Sequence, residues 1–311
     1  MFKYILKKLL MMLFTLWIII TLTFVLMLSV PGSPFNSESS SNEIVQQNLK
    51  KHYNLDQPIA VQYVLYLKSI ITLEFGPSIK QPNQTVNDLL GRGFPISAEL
   101  GLVTIIVALI SGIAIGILAA LRHNRIIDYI AMGIAVLGIS IPNFILATLL
   151  IQQLAVNWSI FPVATWQGPL YMVLPVLALA TGPMAIIARL TRSTMLEVLT
   201  QDYIKMAKAK GLAPWKIIVK HALRNALMPV VTIMGTLLVG IMTGSFVIEQ
   251  IFAIPGMGKY FVESINHRDF PVIMGTTVFY SSFLIIMLFL VDIAYGIIDP
   301  RIKVNKKEGE E

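Results

Sequence analysis

The stretch "LGLVTIIVALISGIAIGILAAL", residues 100–121, contains no charged side chain. A helix rises 1.5 Å per residue, so the run is about 33 Å long, enough to cross a hydrocarbon core of about 30 Å. Five further runs have the same character: residues 9–30, 129–151, 170–188, 226–248 and 271–291. Strands of a membrane barrel alternate apolar and polar residues, and these runs do not alternate. The pattern predicts an all-α membrane protein with six transmembrane helices.

Composition agrees. Only 13% of the 311 residues are charged and the mean hydropathy is +0.74, whereas a soluble domain carries about 25% charge. The net charge of +7 does not indicate nucleic acid, which would need the basic residues on an accessible groove surface. They cluster beside apolar runs instead, which suits an anionic leaflet or an acidic partner. The chain has no cysteine, which excludes disulfides, thiolate metal sites and cysteine nucleophiles. His52, His123, His221 and His267 lie far apart without ligand spacing, so no metal site and no catalytic residue is expected.

Lysine and arginine in short loops set orientation. With the N-terminus inside, seventeen fall in inner segments and seven in outer ones, five of the seven within one long outer segment. Both termini are therefore expected in the cytoplasm. The first run follows Lys3, Lys7 and Lys8, as in a signal peptide. Its apolar stretch is longer than usual and no small-x-small site follows it, so it reads as a retained helix. The expected divisions are residues 1–30, a cytoplasmic start and first span; 31–98, an extracytoplasmic segment; 99–298, a five-helix core with a cytoplasmic loop at 189–225; and 299–311, a cytoplasmic tail.

In the outer segment, residues 42–51 read as a polar helix. Residues 58–73 read as an apolar one that opens on Pro58 and carries Gln62 and Lys68. Sixteen residues make about 24 Å of helix, short for a span, so this helix is expected flat on the outer surface or against the bundle. Gly112 and Gly116, and again Gly240 and Gly244, have the G-x-x-x-G spacing that either lets helices approach closely or reflects only how common Gly is in membrane helices. Pro175 and Thr181-Gly182-Pro183 predict an interruption of the fourth span, since proline removes a helix hydrogen bond.

The inner loop holds "YIKMAKAKGLAPW", residues 203–215, with Lys205, Lys208 and Lys210 close together. Residues 194–210 suit one helix, stopped by Gly211 in the left-handed conformation. Pro214 begins a second helix. At a 3.6-residue period Trp215, Ile218, Ala222 and Ala226 share one face, and Lys216, Lys220 and Arg224 another. That helix suits either an anchor on anionic lipid or a docking element. The first helix, with its small, sharply turned tip at residues 207–212, suits insertion into a cleft of another protein. Charges near the spans are few: Glu99, Glu249 and Asp292. Intramembrane charge is often functional, which would put these three on the substrate path, but all sit near span ends, where water or the interface can reach them. Residues 252–270, including Ile254, Pro255, Gly256 and Gly258, suit either a gate or docking surface or an ordered outer loop with a Pro-Gly turn.

Longer phrases are more specific. "QDYIKMAKAKGL", "HALRNALMPVVT", "FVIEQIFAIPGMGKYFVESINHRDFPVIMG", "DPRI", "PGSP" and "NLDQPIAVQY" resemble the B-type permease subunit of ABC peptide importers, the oligopeptide, dipeptide and nickel group. The inner loop resembles the signature loop of such subunits. Aligned on Gly211, Lys205, Met206 and Ala207 stand where the loose pattern has Glu-Ala-Ala, so its Glu is missing, and Pro229 falls later than the pattern has it. The resemblance spans nearly the whole chain. It implies the type I ABC importer permease fold, and a coupling helix around residues 201–212 that docks on an ATPase through Tyr203, Lys205, Ala207, Lys208, Lys210, Gly211 and Leu212. It also implies the partners: a second, non-identical C-type permease subunit, two cytoplasmic ATPase subunits that hold ATP and Mg, and an extracytoplasmic peptide-binding protein. The setting would be the lipid bilayer of a bacterial cytoplasmic membrane.

No cofactor is expected on this chain. "AIPGMGKY" contains Gly-Lys, but Ala253 and Tyr260 occupy the places where a phosphate loop needs Gly and Ser or Thr. A nickel-chelate or other small-solute importer is the alternative substrate reading. A self-sufficient secondary transporter would carry paired intramembrane charges and a repeat, and an intramembrane enzyme would need a nucleophile and base or metal ligands inside the spans.

Overall fold

The computed structural model describes residues 2–29, 47, 51, 53–81 and 83–298. These form α1 (Phe2–Ser29), α2 (Ile59–Thr72), α3 (Val86–Leu121), α4 (Ile126–Ser140), α5 (Asn143–Leu150), α6 (Pro169–Leu199), α7 (Asp202–Ala209), α8 (Pro214–Ala226), α9 (Met228–Ile251), α10 (Met257–His267) and α11 (Phe270–Ile298). A π-helical stretch, Ile151–Asn157, continues α5, and another, Ile217–Ala222, forms the middle of α8. The described residues contain no named strand, only a bridge between Pro77 and Thr85. The polar helix expected at residues 42–51 lies mostly outside the described residues.

α1, α3, α6 and α11 are each long and apolar enough to cross a membrane. Two bent pairs supply the rest: α4 and α5 meet at 106°, α8 and α9 at 52°, which gives six spans when each pair counts once. The third span expected at residues 129–151 is therefore broken. Proline disfavours helical backbone in the residue before it, and Ile141, before Pro142, is extended at φ −87°, ψ 119°. The interruption expected in the fourth span is absent: α6 continues through both Pro175 and Pro183. The expected boundary at residue 98 also falls inside a helix, because α3 begins at Val86 and has 36 residues, about 54 Å.

The described chain gathers into two units, residues 1–95 with 256–289, and 96–255 with 290–311. In the first, α2 lies against α1. Phe24 meets the rings of Tyr63 and Tyr66 at 5.2 and 5.9 Å, and the Tyr63 and Thr21 hydroxyls are 2.7 Å apart. Val278 of α11 joins this cluster. Buried Asp269 holds the loop after α2, accepting hydrogen bonds from the Ser78 hydroxyl and from the Ile79 and Lys80 N–H groups, the last two at 3.2 and 3.1 Å.

In the second unit α6 is the hub, with α4, α5, α8 and α9 packed on it. α3 joins it through the first G-x-x-x-G pair. A Cβ on Gly112 would stand 2.8 Å from the Met184 carbonyl oxygen, and one on Gly116 would stand 2.6 Å from that of Ala188. No real side chain fits at those distances, so the glycines allow the close approach. The second pair differs, since a Cβ on Gly240 would meet nothing within 4 Å.

Candidate coupling site

The loop between α6 and α9 forms two helices clamped against the end of α6. The single helix expected over residues 194–210 is broken after Leu199. Thr200 ends α6 by donating its hydroxyl to the Glu197 carbonyl at 2.7 Å, a side-chain bond that competes with helix continuation. Gln201 is then extended at φ −67°, ψ 149°, and α7 starts at Asp202.

Two buried residues seat α7. Ile204 and Ala207, three apart and so on one face, join Met195, Ile217, Ala222 and Ala226 in one apolar cluster. Two hydrogen bonds brace the assembly: the Thr194 hydroxyl donates to the Ala226 carbonyl, and Asn225 Nδ2 donates to the Tyr203 hydroxyl, both at 2.8 Å. The opposite side of α7 is exposed and carries Tyr203, Lys205, Met206, Lys208 and Lys210. Ala207, expected among the contact residues, is buried (6% exposed) and holds α7 in place instead. Met206, at 61% exposed, belongs to the presented surface, and only the i+3 spacing of Ile204 and Ala207 hinted at it.

The tip is closed as the glycine predicted. Gly211 has φ +72°. Its N–H donates to the Lys208 carbonyl at 3.0 Å, and the Leu212 N–H donates to the Ala207 carbonyl at 3.3 Å. These are the two bonds of a Schellman cap, so the chain turns back within two residues and leaves the end of α7 presented. Lys205 Nζ sits 2.8 Å from the Asp202 carboxylate, a partner one turn away. Both side chains are well exposed, and such a pair contributes little to stability. Lys208 and Lys210 extend the basic surface.

α8 begins at Pro214 as expected, and of its expected apolar face Ile218, Ala222 and Ala226 pack in or against the cluster while Trp215 does not. Ile217, Ala222 and Ala226 are buried while Trp215 is 63% exposed. Ile217 and Ala222 bracket a π-helical turn with i→i+5 hydrogen bonding, and Ile217 takes the buried place expected of Trp215. Lys216, Lys220 and Arg224 remain exposed, with the Lys216 ammonium 5.6 Å from the Trp215 ring centre.

The other expected site residues do not gather here. Ile254, Gly256 and Gly258 are buried and Pro255 is half-buried. Ile254 is 0% exposed and lies in the core with Leu100, Leu174, Ile248 and Phe252. Glu99 is exposed. Glu249 is fully buried, contrary to the expectation that water reaches it. Asp292 lies in α11, and its side chain falls outside the described residues. Among the described residues no group of three His, Asp or Glu could hold a metal ion.

One cluster had no counterpart in the sequence reading. Asp128, buried at the start of α4, accepts a bidentate pair from Arg192 of α6, at 2.5 Å from Nε and 2.7 Å from Nη2. The Asn124 N–H donates to the same carboxylate at 3.0 Å, and His123 Nδ1 lies 3.3 Å away. The planar guanidinium fits a carboxylate in this way. It fixes the two helices together near the end of α6 from which α7 emerges.

Comparison with known proteins supplies the context. Residues 112–304 match the family described as the inner membrane component of binding-protein-dependent transport systems, and residues 1–111 match its N-terminal counterpart. The chain is 69% identical over 307 residues to the dipeptide transport system permease protein DppB of Bacillus subtilis, covering 99% of this chain and 100% of that one. It is 44% identical over 305 residues to the oligopeptide transport system permease protein OppB of Haemophilus influenzae, covering 97% and 100%. Among solved structures, an inward-facing form of the MetNI methionine ABC transporter contains a chain that aligns with a TM-score of 0.56 at 20% identity, covering 68% of this chain and 96% of that one. At that identity the likeness is one of fold.

Proposed function

Since the chain belongs to the family of inner membrane components of binding-protein-dependent transport systems, we propose that it is the B-type permease subunit of an ATP-driven peptide importer. It forms half of the translocation pathway and works with a second, non-identical permease subunit. Peptide arrives from an extracytoplasmic binding protein, and two partner ATPases bind ATP and Mg. The setting is the bacterial cytoplasmic membrane with both termini inside, as the basic loops favour. The relatives named for dipeptide and oligopeptide transport support peptides over a nickel chelate.

The observation that carries the reading is α7, a short capped helix held on its inner face by Ile204 and Ala207, with Tyr203, Lys205, Met206, Lys208 and Lys210 presented. A helix clamped on one side transmits displacement as a unit. Closure of the ATPases pulls α7, and the pull reaches α6 through the shared apolar cluster and the Thr194–Ala226 bond. The spans then re-pack between inward-open and outward-open forms, which is alternating access. The lysines steer docking more than they add affinity.

The chain has no cysteine, so Met206→Cys and Val219→Cys each place one thiol on an otherwise inert chain. In the assembled transporter, a thiol cross-linker is expected to join position 206 to an ATPase in a nucleotide-dependent way. Cross-linking at 219 alone, or none at 206 in any nucleotide state, rejects α7 as the coupling element.

A further inference from the structure

We propose that the cavity bounded by α1, α2 and the start of α11 is a lipid site that holds one acyl chain of a membrane glycerophospholipid. Its volume is about 290 Å³, and its apolar wall includes Phe24, Met27, Leu28, Leu65, Tyr66 and Met274. Several polar groups around it are engaged elsewhere, while the buried Tyr66 hydroxyl has no hydrogen-bond partner among the described residues. Gln62 donates to the Gln57 carbonyl, Ser69 to that of Tyr66, and the Tyr53 hydroxyl to that of Ser78. Glu74, which also lines the cavity, is exposed. The wall is otherwise mostly apolar, and a wall of that kind takes hydrocarbon.

The neighbouring surface sets the occupant. α2 has 14 residues, about 21 Å, too short to cross the membrane. It nonetheless leaves Ile59, Val64, Ile71 and Leu73 exposed at 61, 62, 83 and 66%. Apolar surface of that extent needs a cover, and α2 lies against α1, a membrane span. The arrangement is that of a helix lying in the lipid interface. Tyr53, Tyr63 and Tyr66 crowd this end of α1 and α2, as aromatic side chains do at the edge of a bilayer. Leu28 and Leu65 both line the cavity and remain 45 and 38% exposed. A chain from the adjoining leaflet enters between them, under α2.

The test reconstitutes the assembled transporter in vesicles containing phosphatidylethanolamine with a diazirine in one acyl chain, then maps the residues labelled on irradiation. Label is expected on Met27, Leu28, Leu65 and Met274 severalfold above that on Leu22 and Leu26, which are exposed at 55 and 53% on α1 outside the cavity wall. Leu65→Trp, and separately Leu28→Trp, fill the cavity and should remove the excess while leaving the label on Leu22 and Leu26 unchanged. Uniform labelling, or an excess that neither variant reduces, overturns the site. So does a benzoylphenylalanine at position 65 that captures residues 30–46 of this chain, or another protein, in place of lipid.

Discussion

Gly211→Pro should separate ATP hydrolysis from transport. At φ +72°, an ordinary L-residue costs about 1–2 kcal/mol through its Cβ and the carbonyl that follows. Alanine incurs that cost alone, since a Cβ at this position meets nothing within 4 Å. Its capped population should fall about tenfold at 1.4 kcal/mol. Proline is worse on three counts. Its ring fixes φ near −65°, about 140° from the observed value. It deletes the N–H that donates to the Lys208 carbonyl at 3.0 Å, a net loss of about 1 kcal/mol. It also disfavours the conformation of Lys210, φ −76°, ψ 4°. Together these exceed about 3 kcal/mol, more than a hundredfold in the capped population. Asparagine tolerates the left-handed region and should be nearly neutral. In proteoliposomes with the partner subunits, the peptide moved per ATP hydrolysed should rank Gly with Asn first, then Ala, then Pro. Amide exchange at Leu212 should accelerate in the reverse order. A Gly211→Pro transporter with the wild-type ratio refutes the reasoning, as does a ranking that follows side-chain size.

Three other perturbations have defined outcomes. Lys205→Glu with Lys208→Glu should weaken ATPase recovery in a pull-down by about 0.4–2 kcal/mol, and more so at low salt. The Lys208 change should dominate because Lys205 already has Asp202 beside it; a salt-independent result removes charge from the account. Asp128→Asn leaves a mostly buried guanidinium without its carboxylate. It should cost about 3 kcal/mol in thermal stability, the low end for such a break, because Arg192 keeps 25% exposure. The pair Asp128→Leu with Arg192→Met should recover most of that loss. Gly116→Ala drives a Cβ to 2.6 Å from the Ala188 carbonyl and should cost about 1–3 kcal/mol by overpacking, while Gly240→Ala should shift thermal stability by less than about 0.5 kcal/mol.

The spans were legible because nothing else explains 22 uncharged residues in a row, and Gly211 because no other residue ends a helix so readily at positive φ. The G-x-x-x-G spacing was only half informative: Gly112 and Gly116 pack closely, but Gly240, with the same spacing, meets nothing within 4 Å. The prolines were not. Pro142, Pro175 and Pro183 look alike in sequence, yet only Pro142 falls at a break, and the outcome depends on what packs around each. On α8 only Trp215 was misplaced, with Ile217 buried instead beside a π-helical turn, for which sequence periodicity offers no signal. Asp128 and Arg192 are 64 residues apart and each resembles an ordinary loop charge until the fold joins them. Ile254 lies in a Pro-Gly-rich stretch that reads as surface, but tertiary packing buries it. Legibility thus followed range: local steric demands were readable, and long-range pairing was not.

The most direct measurement is affinity purification of this chain, tagged at its C-terminus, from its native membrane in mild detergent, with the co-purifying chains identified. Recovery of ATPase subunits and a second six-span permease is the predicted result. Recovery of this chain alone, still moving solute in vesicles without ATP, contradicts the account and turns α7 and α8 into a lipid-bound surface.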